Sequence, residues 1–329
     1  MANRLVIGSF FATAARPPRI FRRLRRVRVL VTGISGFVGD ALAPRLLAAG
    51  HEVIGFARDP ARVRVDVPVV RGDALTGDGL RQAMAGVEVA YHLMHSMEGA
   101  ADRGFPERER RAASGFAQAA RRAGVRKAVY LGGLAPRGDR RSAHLASRLE
   151  VERVLLEALP RSTALRASIV IGARSRSFRF LVRLIERLPA VPLPAWSARR
   201  TAPIDRRDVV ELLARAAEDP AADGRSLDAV GPEIVSYGAL IDRIADLMLV
   251  VRPALRLPLD ATPIVGRVAA AIAGEDPGLV MPLMDSLESD LLPRQPRAER
   301  PLGVRLHSLD AAIERALRDW ESAEPLAAR

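Results

Sequence analysis

The chain has 329 residues, 49% of them hydrophobic, 27% charged and none of them cysteine. That length allows about two domains with a sizeable core, and the fractions exclude collagen-like, coiled-coil and wholly disordered chains. The lack of cysteine removes disulfides, thiolate metal sites and cysteine nucleophiles and suits a cytoplasmic location, while a net charge of +13 points to anionic partners.

Lys127 is the only lysine, so nearly all the positive charge is arginine, spread along the chain. Aromatic residues make up only 4% and interleave with no nucleic-acid motif, which argues against nucleic acid and for small anionic molecules. Residues 1–26 form a basic extension. Six arginines around Pro17 and Pro18 follow a short apolar run, the reverse of the order in a secretory signal. This arm reads either as a contact for an anionic membrane surface or as an unstructured leader.

From Val27 onward, apolar runs alternate with helical periodicity. Residues 27–31 read as the first strand, 41–49 as the helix after it, 51–56, 67–71 and 87–94 as further strands, and 79–85 as a short helix. A long helix over 105–123, a strand over 127–131, a helix over 143–158 and a strand over 163–171 complete the pattern. The expectation is an α/β fold, a doubly wound parallel sheet in residues 27–172 with a smaller C-terminal α+β lobe in 173–329. In that lobe, prolines 189, 192, 194 and 203 break the chain. Amphipathic helices are expected over 208–218, 237–249 and 309–322, with a helical run at 265–273.

The first strand runs into Thr32, Gly33, Ile34, Ser35, Gly36, Phe37, Val38 and Gly39, and a helix follows. Gly33 permits a tight turn, Gly36 lets backbone approach a pyrophosphate, and Gly39 lets helix and strand pack closely. The amides of Ser35, Phe37 and Val38 would then face the phosphates of a dinucleotide. After the second strand, Arg58 matches a 2′-phosphate and points to NADP, whereas Asp59 keeps NAD open. Asp73, after the third strand, reads equally as an acceptor for the adenine amino group and as a helix N-cap.

These residues resemble the Rossmann-type short-chain dehydrogenase/reductase superfamily, in its extended and atypical members with the spacing TGxxGxxG. The stretch Tyr91 to Met97 is similar to one in a subgroup related to NmrA-like regulators and to the 39-kDa subunit of respiratory complex I. The resemblance implies that Leu93, Met94 and His95 line the cofactor channel. Catalytic members carry a serine after the fifth strand and a Tyr-x-x-x-Lys on the next helix. Here Gly132 and Gly133 follow Leu131, and His144 and Arg148 stand where tyrosine and lysine are expected.

His144 and Arg148 share one helix face, so the imidazole can act as a proton donor near neutral pH beside a cation that lowers its pKa. The alternative is a surface pair held to Glu152. His95 and Ser96 are a second candidate pair. No ligand-like histidine pairing, GxSxG elbow or Walker lysine occurs. The favoured reading is an NADP(H)-dependent oxidoreductase, NAD remaining open, acting on a small organic substrate such as a quinone, enone or carbonyl. Its competitors are a non-catalytic NADP(H) sensor or structural subunit, and a sugar-nucleotide or isoprenoid epimerase or reductase.

Overall fold

A computed structural model describes residues 26–94, 104–136, 142–256 and 288–324. The basic arm, apart from its last residue, lies outside the described residues, as do His95, Ser96 and the helical run at 265–273. In chain order the first half comprises β1 (Arg28–Thr32), α1 (Gly39–Ala48), β2 (Glu52–Ala57), β3 (Val69–Arg71), α2 (Leu80–Ala83), β4 (Val89–His92) and α3 (Phe105–Arg122). It continues through β5 (Lys127–Gly133), α4 (Ala143–Ala158), β6 (Thr163–Ala167) and β7 (Val170–Ile171). The second half comprises α5 (Arg176–Arg187), β8 (Val191–Leu193), β9 (Arg200–Thr201), β10 (Ile204–Asp205), α6 (Arg206–Glu218), β11 (Arg225–Ala229), β12 (Val235–Ser236), α7 (Tyr237–Leu247) and β13 (Ala254–Arg256). Helices Glu299–Leu302 and Leu309–Glu321 follow.

Seven strands form one parallel sheet in the order β11-β6-β5-β4-β1-β2-β3. Its central strands are apolar runs because both faces are covered. Leu42 and Leu46 of α1 and Val209 to Ala217 of α6 pack on one face. Leu80 of α2, Phe116 of α3 and Leu155 of α4 pack on the other. Strand order reverses beside β1, which pairs with both β2 and β4. In an open α/β sheet that reversal opens a crevice at the carboxyl ends of the strands. Thr32 stitches it together by donating from Oγ1 to the Tyr91 carbonyl at 2.8 Å.

A second core lies beyond this edge, built from Phe178, Leu181 and Ile185 of α5, Leu240 and Ile244 of α7, and Ile313 and Trp320 of the terminal helix. This lobe and the sheet interlock along the chain, since α6 and β11 return to the sheet after α5 has joined the lobe. The sheet thus takes in Arg225–Ala229, well past residue 172. The expected strand over 163–171 is two strands, interrupted at Ser168 and Ile169. Helix α5 was not expected from the sequence. Its arginines interrupt the apolar pattern, yet Arg183 is buried against Glu186 at 2.6 Å and lies over the Trp320 ring at 5.0 Å. No helix among the described residues is long and apolar enough to cross a membrane.

Candidate functional site

A cleft of about 970 Å³ opens at the carboxyl edge of the sheet. Its floor is the turn between β1 and α1. The chain reverses there because Gly33 adopts a φ of +69°, and the amide of Gly36 closes the turn on the Gly33 carbonyl at 2.9 Å. A Cβ on Gly33 would stand 2.7 Å from the Leu93 carbonyl oxygen, and one on Gly39 would penetrate that of Gly33. Only glycine lets these segments approach so closely. The amides of Ser35, Phe37 and Val38 have no backbone acceptor, so donors are left at the positive end of α1. This cradle fits a diphosphate. Its rim is braced by Arg174, which pairs with Asp40, and by Phe37, whose ring lies under the Arg206 guanidinium at 5.2 Å and against Gly172.

One end of the cleft is lined by Arg58, Asp59, Arg62 and Asp73. The Asp59 carboxylate accepts from the Ala61 amide at 3.1 Å, capping the turn that follows β2. Asp73 likewise accepts from the Leu75 amide at 2.8 Å, so one of its oxygens serves the local turn while the residue lines the cleft. Arg58 and Arg62 are both exposed there, and Arg62 forms no ion pair among the described residues.

At the other end stand His92, His144 and Arg148, together with Leu131 to Leu134. Arg148 is only 4% exposed and pairs with buried Glu109 of α3 at 3.4 Å, while Ser147 donates to the same carboxylate at 2.6 Å. The surface pairing with Glu152 expected as the alternative does not form, because Glu152 is held by Arg166 at 2.7 and 2.9 Å. Nor does His144 titrate near neutrality. Burial, reinforced by the Arg148 charge, lowers its pKa to about 3, and the same two causes bring His92 to about 3. Both imidazoles are therefore neutral at physiological pH, each with a buried Nδ1 that has no partner. A neutral imidazole can present an N–H to a carbonyl oxygen but does not act as an imidazolium acid. Of the two glycines that follow Leu131, Gly132 leaves no room for a side chain, whereas a Cβ on Gly133 would meet only Leu145, at 3.5 Å. A side chain on Gly132 would begin 2.8 Å from the Tyr130 ring.

This arrangement has a consequence for acid stability. The folded histidines stay neutral to about pH 3, whereas unfolded ones bind protons below about pH 6.5, so stability falls as pH drops through that window. Each histidine contributes up to about 1.4 kcal/mol per pH unit. His144→Gln should shallow the decline in urea midpoint between about pH 6 and 4; an unchanged slope would mean that His144 is not held neutral.

The structure thus brings Gly33, Ser35, Gly36, Phe37, Val38, Gly39, Arg58, Asp73, Leu93, Met94, His144 and Arg148 to one cleft. His95 lies outside the described residues. The sequence reading missed His92, Arg62, Arg174, Ser168 and Tyr237 as lining residues. His92 lies within the stretch already singled out after β4, and Tyr237 follows Val230 to Glu233, a segment that resembles the substrate lobe of extended members, though no local pattern gives it a place in the cleft.

Residues 29–228, more than half of the chain, match the NAD dependent epimerase/dehydratase family. The chain belongs to this family. Its members are extended short-chain dehydrogenases/reductases that bind NAD(P). The chain is similar to a 2-alkyl-3-oxoalkanoate reductase of Shewanella oneidensis, with 40% identity over 65 residues, 19% of this chain and 17% of that protein. It is similar to a 3-beta-hydroxysteroid dehydrogenase of Mycolicibacterium neoaurum, with 43% identity over 67 residues, 20% and 18% of the two chains. These matches span less than a fifth of each relative. Among solved structures, UDP-glucose 4-epimerase of Thermotoga maritima, with UDP-glucose, superposes with a TM-score of 0.70 at 13% identity, covering 90% of this chain and 99% of that one. A short-chain dehydrogenase/reductase superfamily protein of Agrobacterium tumefaciens with bound NAD gives 0.64 at 18% identity, covering 90% and 96%. At such identities the likeness concerns the fold.

Proposed function

We propose that this family member is an NADP(H)-dependent reductase of small conjugated acceptors, such as quinones, enones or carbonyl compounds, working without the serine-tyrosine-lysine relay. The observation that carries this reading is the cleft itself, with a glycine cradle at its centre and, at one end, two neutral imidazoles beside the Arg148–Glu109 ion pair. A bound nicotinamide supplies hydride there. The turn from Gly33 to Gly39 holds the diphosphate, Arg58 and Arg62 meet a 2′-phosphate, and His144 presents an N–H to the acceptor oxygen. Acceptors that delocalise the incoming charge need little proton transfer in the transition state, so the missing phenol costs them less than it costs an isolated ketone. The names of the two curated relatives describe oxidoreductases, which supports the reaction class and leaves the substrate open.

The first test is titration with NADPH and NADH followed by turnover with a panel of quinones, enones and aldehydes. Saturable NADPH binding with NADPH oxidation by a conjugated acceptor is expected. Arg58→Ala should weaken NADPH by about 1–3 kcal/mol, the scale of a charge-assisted contact, and leave NADH nearly unchanged. Equal effects on both nucleotides would remove the NADP preference. One observation favours a second reading, a binding protein that senses the nucleotide without turnover: Arg148 is committed to a buried carboxylate, as a scaffold residue would be. NADPH that binds and is oxidised by no acceptor in the panel would establish that reading instead.

A further inference from the structure

The end of the cleft beyond His144 is built by the second lobe. Phe180 and Leu181 of α5, Ile169, Leu134 and Leu291 line it, with Tyr237 at the first position of α7. Ser175 and Ser177 also line this wall, and its other polar groups are mostly engaged. The Ser168 hydroxyl bonds that of Thr201 at 2.5 Å. Arg174 pairs with Asp40 and Arg148 with Glu109, and Arg108 and Arg176 also interact within the chain. Among the groups buried in this wall, the phenol of Tyr237 stands out. It is buried, the Thr201 hydroxyl near it is already bonded to Ser168, no hydrogen bond of normal geometry reaches its own hydroxyl, and its ring meets Trp196 edge-on at 6.2 Å.

We infer that this end of the cleft takes a predominantly apolar molecule with few hydrogen-bond acceptors, an alkyl-substituted quinone or enone being the fitting class, and that Tyr237 anchors a carbonyl oxygen of it, as a second donor besides His144. This deepens the reductase reading and rests on it. A phenol stranded in an apolar wall loses about 1–3 kcal/mol relative to a satisfied one, which a ligand oxygen restores. A sugar nucleotide is the poorer fit. Its diphosphate and hydroxyls would need partners from a wall whose guanidinium groups are already engaged, and burying them without partners is costly.

The test uses the full chain loaded with NADP⁺, so that no hydride transfer occurs, and follows tryptophan emission, since Trp196 adjoins Tyr237. The probes are 2-decyl-1,4-benzoquinone and UDP-glucose. Saturable quenching by the quinone and none by UDP-glucose is expected. Tyr237→Phe, which removes only the hydroxyl, should weaken the quinone about tenfold, and Ile169→Glu at the half-buried wall should weaken it at least as much. NADP⁺ affinity should be unchanged in both variants, which also reports that they are folded. Saturable binding of UDP-glucose in place of the quinone overturns the inference, and full quinone affinity in Tyr237→Phe overturns the anchoring role. If NADP⁺ itself does not bind, the reductase reading falls; if NADP⁺ binds and the quinone does not, only this inference falls.

Discussion

Gly33→Ala is expected to abolish NADPH binding and to destabilise the protein by more than about 2 kcal/mol. The left-handed backbone at Gly33 costs an alanine about 1–2 kcal/mol. Its Cβ would also stand 2.7 Å from the Leu93 oxygen and 2.8 Å from the Leu93 carbonyl carbon. Both obstacles are backbone, so relief requires β1 and the segment after β4 to separate at the point where the cradle must keep its shape. Gly50 provides the control. It too has positive φ, at +87°, but nothing lies within 4 Å of a Cβ there. Gly50→Ala should therefore show only the conformational cost, about 1–2 kcal/mol, and bind NADPH normally. Urea unfolding and NADPH titration of the two variants separate close approach from dihedral strain. Equal stability and equal binding would show that the cradle is looser than its geometry implies.

Glu109→Ala should cost about 3–5 kcal/mol, because it strips the carboxylate from a guanidinium that is almost wholly excluded from water. Replacing both partners, as in Glu109→Leu with Arg148→Met, should recover most of that stability, since two apolar side chains of similar volume need no solvation. Turnover discriminates further. If Arg148 orients substrate or cofactor, the stable double variant will bind NADPH yet reduce acceptors much more slowly than the parent. If it reduces them at the parent rate, the pair serves only to join α3 to α4. A double variant as unstable as Glu109→Ala would mean that packing rather than charge dominates this site.

Much of the first half could be read from local pattern. A parallel strand buried on both faces must be an apolar run, and the helices beside it must carry an apolar stripe, so β1 through α4 were visible within a few residues at each end. The glycine turn was visible for the same reason, because each of its glycines answers a constraint set by immediate neighbours. That local information also extends to the missing serine, tyrosine and lysine, which are identities at stated positions.

Interactions between distant segments left no such trace. Strand β11 carries Arg225, Ser226 and Asp228, a poor candidate for a sheet until Ser226 finds Glu152 at 2.5 Å and Asp228 accepts from the Gln295 amide at 2.6 Å. Helix α5 was hidden because its arginines are satisfied by Glu186, Glu324 and the Trp320 ring, all supplied by packing. The partner of Arg148 lies on another helix, and the histidine pKa values follow from how much water reaches them. Order along the chain dictates which groups a segment offers, whereas desolvation and pairing depend on which segments meet, and only folding brings α3, α4 and α5 around the same cleft.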